Sequence, residues 1–389
     1  MTSLAFNSYV AAAPIYVGGA SIESIQKQYG LEDVIKLASN ESPLPPSPQV
    51  IAAIQQAAEG LNRYPPMGDE DLRAALAQTI GRGTTPDHFV TGNGGCDVLS
   101  MLAASFLNEG DEIIISRPTF PIYEITARRI GASIVYADLD PERFTYDVEA
   151  ILAAVTARTR FIYICNPNNP TGTIITAQQM ETLVNNIPPQ VLLVADEVYY
   201  HFVDAPDYPD TLPYVLAGKN VLILHSFSKV FSLAGLRLGY AIAPVEIAQY
   251  LSRARESFHL SQLTMIAGLA ALGDRDYVQK TIKLTVTGRA WLVKQLSRLN
   301  LPVWPSQSNF ILFKPPFPAA MVSERLLRRG VIVRPMTQFY LPTHLRVTVG
   351  MPEENERFIV ALRESLAELE AEGAPREVAE EKSKGEFKF

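Results

Sequence analysis

A succession of short apolar runs, several followed by segments of helical character, constrains this chain more than any other feature. Ile113-Ile114-Ile115 precedes a helical pattern over about 123–130, and Ser133-Ile134-Val135-Tyr136 comes next. Arg160-Phe161-Ile162-Tyr163-Ile164 leads to a helix near 177–186; Val191-Leu192-Leu193-Val194 and Val221-Leu222-Ile223-Leu224 complete the set. Apolar runs of this length, bounded by polar residues, read as strands buried on both faces. Their alternation with helices predicts an α/β fold, a mostly parallel sheet sandwiched by helices. Right-handed crossovers then bring the strand ends to one rim, and open α/β sheets bind ligands outside the carboxyl ends of their strands.

After His259 the pattern changes. A long helical stretch over 277–299 is followed by short strands near 309–313, 331–333 and 345–349, with helices over 319–329 and 353–369. This predicts a smaller α+β domain. The expected division is an N-terminal arm and start of the small domain over 1–38, a large domain over 39–260, the small C-terminal domain over 261–369 and a disordered acidic tail over 370–389. From Glu364 to Phe389 there are eight acidic and four basic residues, so −4 of the total charge of −7 lies there. Ser42-Pro43-Leu44-Pro45-Pro46-Ser47-Pro48 can be neither helix nor central strand and reads as a stiff connector.

Composition narrows the function. Hydrophobic residues make up 47% and charged residues 19%, which suits a globular core. A net charge of −7 argues against a general nucleic-acid binder, and no apolar run approaches a membrane span. Two cysteines, Cys96 and Cys165, form no CxxC pair, and the five histidines lack metal-ligand spacing, so neither a disulfide framework nor a metal site is expected. The apolar stretch over 9–20 has no preceding Lys or Arg, the first being Lys27, which argues against a secretory signal. The expectation is a cytoplasmic protein without nucleic-acid, membrane or metal partners.

Lys229 is the residue with most chemistry around it. It follows the run 220–225 in Ser226-Phe227-Ser228-Lys229, and Arg237 stands eight residues on. A lysine at the carboxyl end of a buried strand, flanked by two hydroxyls and a guanidinium, is an amine beside an anion site. That pairing suggests a Schiff base with pyridoxal 5'-phosphate (PLP), a cofactor that acts as an electron sink.

Four further segments fall at strand ends or turns: Asn166-Pro167-Asn168-Asn169-Pro170-Thr171-Gly172, Ala195-Asp196-Glu197-Val198-Tyr199, Thr91-Gly92-Asn93-Gly94-Gly95-Cys96-Asp97 and Pro118-Thr119-Phe120-Pro121-Ile122-Tyr123. Singly they read as a turn, a helix cap, a glycine turn opening a helix near Val98, and packing aromatics. Together they supply what PLP needs. Asp196 can keep the pyridine nitrogen protonated, and Asn169 and Tyr199 can hydrogen-bond the ring oxygen. The Gly95 and Cys96 amides, with Ser226, Ser228 and Arg237, can cradle the phosphate. Tyr123 is expected over the ring.

The order Asn-Pro-Thr-Gly, Asp-Glu-x-Tyr, Ser-x-Ser-Lys and Arg eight residues on resembles the fold-type I PLP-dependent aminotransferases of class I/II, over about residues 9–368. Lys36-Leu37-Ala38-Ser39-Asn40-Glu41, Arg63-Tyr64-Pro65, Val331-Ile332-Val333-Arg334 and Leu345-Arg346-Val347-Thr348-Val349-Gly350 make it most similar to the histidinol-phosphate aminotransferase family. The resemblance implies amino transfer from histidinol phosphate to 2-oxoglutarate, in histidine biosynthesis. It assigns Arg346 to the substrate α-carboxylate, Arg334 and Tyr16 to the substrate phosphate, Asn40 to the substrate site, and Tyr64 to the cofactor phosphate of a partner subunit. A homodimer with shared active sites follows. The sequence departs from the family at Pro335, where Asp is usual, at Cys96, where an acidic residue is common, and at Leu44-Pro45, where Tyr-Gly is usual. These departures keep an aromatic or broad-specificity aminotransferase and a threonine-phosphate decarboxylase-like lyase as alternatives.

Overall fold

The computed structural model describes residues 4–377. Its centre is a seven-stranded sheet of β1 (Phe89–Gly92), β2 (Glu112–Ile115), β3 (Ser133–Tyr136), β4 (Thr159–Cys165), β5 (Leu192–Asp196), β6 (Val221–Ser226) and β7 (Gly239–Ile242). The order across the sheet is β1-β7-β6-β5-β4-β2-β3. Only β7 runs against its neighbours.

Side-chain alternation along the strands divides the interior into two cores. Ile114, Ile162, Leu193 and Ile223 face one side, with Leu72, Leu76, Met180 and Leu183 of the covering helices. Ile113, Phe161, Val194 and Leu222 face the other, with Val98, Leu99, Leu102 and Leu251. Each such fully buried aliphatic side chain contributes roughly 1.5–3 kcal/mol, so the alternation fixes the register of the sheet.

Two strands were not legible in the sequence. β1 and β7 are four-residue segments, fully buried, each with a glycine at one end, and they lack the apolar run that marks the others. Gly239 has a packing reason: a Cβ there would stand 2.5 Å from the Gly95 amide nitrogen.

The smaller unit holds the antiparallel sheet Arg334–Pro335, Leu345–Thr348, Phe310–Phe313. Its core joins Leu292 and Leu296 of the long helix Arg275–Arg298 to Val322, Leu326, Phe358 and Leu362. The strand expected at 331–333 is in fact divided. Val331–Ile332 pairs in parallel with Ile35–Lys36, while Arg334–Pro335 turns to pair with Leu345–Thr348. The N-terminal segment thus crosses the small unit before entering the large one.

Other expectations shift. Helix Gln262–Gly273, expected in the small domain, packs on Pro48–Ala57 and Glu70–Ile80, and Ala267, Ala271 and Leu272 join the large core; we therefore draw the domain boundary near Asp274 rather than at 260. Pro48 is helical, but at the first position, where its missing N–H costs nothing; Ser47 Oγ caps the turn by accepting from the Val50 amide at 3.2 Å. The glycine turn opens its helix at Gly95, not Val98. The last helix runs Pro352–Ala371, and the Glu377 amide donates to the Pro316 carbonyl at 2.9 Å, so the first part of the expected tail is placed; 378–389 lie outside the described residues. Among the described residues no helix is long and apolar enough to cross a membrane.

Candidate active site

The carboxyl ends of β4, β5 and β6 and the turn after β1 open onto a cavity of about 360 Å³. Because β1, β4, β5 and β6 all run in the same direction, the residues just beyond each end converge. Gly95, Cys96, Asn169, Asp196, Tyr199, Ser226, Ser228, Lys229 and Arg237 all line it. Gly94 (φ +86°) turns the chain into helix Gly95–Phe106, whose free first-turn amides and dipole favour an anion. The Arg237 guanidinium packs against this turn, leaving no room for a Cβ at Gly94. Burial pushes the Cys96 thiol up, so it stays neutral. Ser226 Oγ accepts from the Ser228 amide at 3.0 Å, which fixes the turn that carries Lys229.

Lys229 Nζ donates to the Asn40 carbonyl at 2.9 Å. Burial, helped by the nearby Arg346 charge, lowers its ammonium to about 8. Asn40 has φ +54°, and the turn this makes lets one residue serve several partners. Its amide donates to Thr348 Oγ1 at 3.0 Å and its Nδ2 to the Tyr199 hydroxyl at 3.0 Å. Burial pushes the Tyr199 phenol up, so it too is neutral.

Asp196 is the buried carboxylate of the site. Desolvation raises it to about 6, and the hydroxyl of Tyr123, donating to Oδ2 at 2.6 Å, opposes that rise. This corrects the expected place of Tyr123. Helix Ile122–Arg129 begins one residue before it, and its ring turns inward, fully buried and stacked on Tyr163 with centroids 4.6 Å apart. The aromatic that this segment brings to the cavity wall is Phe120, just ahead of that helix. Phe120 is not among the site residues expected from the sequence. The turn-forming Pro121 was the available signal, because it separates a half-buried Phe120 from a helical, fully buried Tyr123.

The other end of the cavity is built by the small unit and the arm. Arg334 and Arg346 face each other across the paired strands, and both line the cavity with Tyr16, Gly19 and Asn40. Arg346 donates to the Ala38 carbonyl at 3.0 Å and to Asn169 Oδ1, and its buried Nε has no partner. Burial lowers its guanidinium to about 10. Arg334 donates to the Val17 carbonyl at 2.7 Å and to Gln338 Oε1 at 3.3 Å. Neutral acceptors hold both arginines, so their charge is left for an anion in the cavity. Tyr64 does not join them: it is 82% exposed and stacked on Phe258 at 4.8 Å. Among the described residues no cluster of metal-ligating side chains occurs.

The chain matches the family model for aminotransferase class I and II over residues 32–362. It is 42% identical over 353 residues to the histidinol-phosphate aminotransferase of Moorella thermoacetica, an alignment covering 90% of each chain. Among solved structures, the histidinol-phosphate aminotransferase of Sinorhizobium meliloti in complex with pyridoxal-5'-phosphate has a TM-score of 0.84 at 26% identity, covering 94% of this chain and 98% of that one. An aspartate aminotransferase double mutant from Thermus thermophilus has a TM-score of 0.81 at 27% identity, covering 94% and 100%.

Proposed function

We propose that this chain, which belongs to the class I and II aminotransferases and within them to the histidinol-phosphate aminotransferase family, uses PLP to move an amino group from histidinol phosphate to 2-oxoglutarate. The products are imidazole acetol phosphate and glutamate. One arrangement carries the reading: a partly buried lysine stands between an anion cradle and a buried carboxylate, with two arginines at the far wall. The donor set fits PLP. Gly95, Cys96, Ser226, Ser228 and Arg237 would hold the phosphate, Asp196 the ring nitrogen, Asn169 and Tyr199 the ring oxygen, and Phe120 a ring face. Bound there, PLP supplies an electron sink for the pair left when a Cα proton departs.

The chain's own groups do the rest. With its ammonium lowered to about 8, Lys229 Nζ can take and return a proton at Cα near neutral pH. Asp196 must be ionised to hold a protonated ring nitrogen, and Tyr123 keeps it nearer that state. Histidinol phosphate has a phosphate ester on the carbon where an amino acid has its carboxylate. Arg346, expected to hold an α-carboxylate, would therefore take whichever anion stands there: carboxylate in glutamate and 2-oxoglutarate, phosphate in the donor. Arg334 and Tyr16 would add the contacts that a dianion can use.

Tyr64, outside the cavity of its own chain, would serve the phosphate of a partner's site in a homodimer. The exposed apolar side chains Leu61, Tyr64 and Met67, close together in one segment, support a covered face there. The test is a panel of amino donors with 2-oxoglutarate, read as glutamate formed in the presence of PLP. Histidinol phosphate should be the preferred donor. A preference for phenylalanine would make the enzyme an aromatic aminotransferase, and carbon dioxide from threonine phosphate would make it a decarboxylase.

A further inference from the structure

Beneath the cavity, on the opposite face of the sheet, lies a polar cluster that the proposed reaction does not use. Alternation puts it there. Asp196 and Ser226 line the cavity, so their neighbours Glu197 and His225 point the other way, and neither lines it. Both are buried, at 5% and 6% exposure. Glu197 Oε2 lies 3.5 Å from His225 Nε2. His225 Nδ1 is 3.0 Å from the Tyr240 hydroxyl, and its imidazole stacks on Tyr200 with centroids 4.1 Å apart. Glu197 Oε1, His225 Nε2 and Thr211 Oγ1 are buried without a hydrogen-bond partner.

An ionised carboxylate could not rest there cheaply. Burying an unpaired charge costs several kcal/mol, and the group neutralises instead. The titratable groups around Glu197 offer no permanent cation. They are Asp196 on its own strand, Tyr200 and His201 on the following turn, Tyr208 and Asp210 on the loop before Leu212, His225 on β6 and Tyr240 on β7. Asp210 is itself paired with Arg82 at the surface. An ion pair with His225 would need two desolvated charges 3.5 Å apart, and the only help beside them is the neutral Thr211 hydroxyl, which opposes but does not overcome the effect of burial on Glu197. A carboxylic acid donating to a neutral imidazole needs neither.

We infer that Glu197 holds a proton directed at His225 Nε2, an uncharged buried pair that leaves Asp196 as the single carboxylate charge at the end of β5. His225 Nδ1–H then donates to the Tyr240 hydroxyl. Burial drives both groups this way, raising Glu197 to about 8 and lowering His225 to about 3. Glu197 acts as a positioning residue: a second anion one residue from Asp196 would push Asp196 toward protonation and weaken its hold on the ring nitrogen. This rests on the reading of Asp196 as the ring-nitrogen partner.

Two measurements on the PLP-loaded enzyme test it. Infrared difference spectra between neutral and alkaline pH should show a protonated carboxylic acid that loses its band on alkalinisation, and Glu197→Gln should remove that band. The acid limb of the kcat/KM profile should stay within about 0.3 pH units in Glu197→Gln, because one neutral group replaces another. A limb that moves about one unit toward acid would mean that a negative charge had been removed, and would overturn the inference. So would a wild-type enzyme without a carboxylic-acid band at neutral pH, a reading that stands even where the variant does not fold. The infrared result does not depend on the substrate, so loss of the aminotransferase reading would appear separately, as a panel without PLP-dependent glutamate.

Discussion

Where the cavity meets the large sheet, most of its polar groups lie within four positions of a strand end: Gly95 after β1, Asn169 after β4, Asp196 and Tyr199 at β5, Ser226 and Lys229 at β6. The opposite wall draws Tyr16 from the arm, Asn40 from the chain's passage between units, and Arg334 and Arg346 from paired strands of the small sheet. On the first side the backbone hydrogen bonds of one sheet set the geometry, and a short segment carries both the side chain and its placement. On the second, each position depends on how the arm and the two units dock. The cofactor side therefore has little room to vary, whereas the substrate side can be retuned by changes in any of several segments.

That contrast makes distinct predictions for the two sides. Changes on the cofactor side should harm every donor alike. Lys229→Ala should lower turnover with all donors by about four orders of magnitude, because no other amine lines the cavity to move the Cα proton. The visible absorbance of the lysine-linked cofactor should vanish with it, as spectra of the loaded variant would show. A variant that kept its rate with any one donor would break the comparison at its strongest point.

On the substrate side the two arginines should separate. A charge-assisted hydrogen bond contributes roughly 1.5–3 kcal/mol, and 1.4 kcal/mol is about tenfold in affinity. Arg346→Ala removes the fork that every substrate anion would use, so kcat/KM should drop by about a hundredfold for histidinol phosphate, phenylalanine and 2-oxoglutarate alike. Arg334→Ala should cost histidinol phosphate at least about tenfold and phenylalanine less, since only a phosphate dianion needs both guanidiniums. Steady-state kinetics with the two donors decide this. Equal losses would make Arg334 a general site residue and return weight to Pro335, where the family usually has an acid.

Tyr64 belongs to neither wall of its own chain. Mixed dimers of Lys229→Ala and Tyr64→Phe subunits would each contain one intact site if Tyr64 serves its partner, so activity should rise above that of either parent. Mixtures verified as heterodimers that gain nothing, or an active monomer, would remove the shared-site proposal.

The same contrast governs what could be read from the sequence. The five apolar runs, β2 to β6, were legible because parallel strands buried on both faces are written as unbroken hydrophobic segments. The motifs at their ends came with them, so most of the cofactor side followed. β1 and β7 were not legible, since a four-residue strand with a terminal glycine carries little signal in isolation. Helix Gln262–Gly273 was given to the wrong unit because its sequence position says nothing of what it packs against. The strand at Val331 was read as one piece, and its division between two sheets is decided by partners far away in the chain. Tyr123 failed for a local reason: Phe120 and Tyr123 differ only in which side of a helix start they occupy, and composition is blind to that.

The smallest predicted effect lies on the cofactor side and tests that last distinction. If Tyr123 supports Asp196 rather than covering a ring, Tyr123→Phe should act through the acid limb of the pH profile. Burial raises Asp196 to about 6 and the Tyr123 hydrogen bond opposes the rise. Removing the donor should therefore raise it further, and activity that requires the carboxylate should be lost at a higher pH than in the wild type. A neutral hydrogen bond is worth about 0.5–1.5 kcal/mol, so the limb should move up by about half a unit to one unit. A protonated ring nitrogen beside Asp196 lowers the limb in both enzymes and leaves the direction unchanged. Above the limb the variant should approach wild-type kcat/KM with every donor, since Phe keeps the stacking on Tyr163. A uniform loss at all pH values, with the limb unmoved, would instead assign Tyr123 to packing alone and leave Asp196 governed by burial.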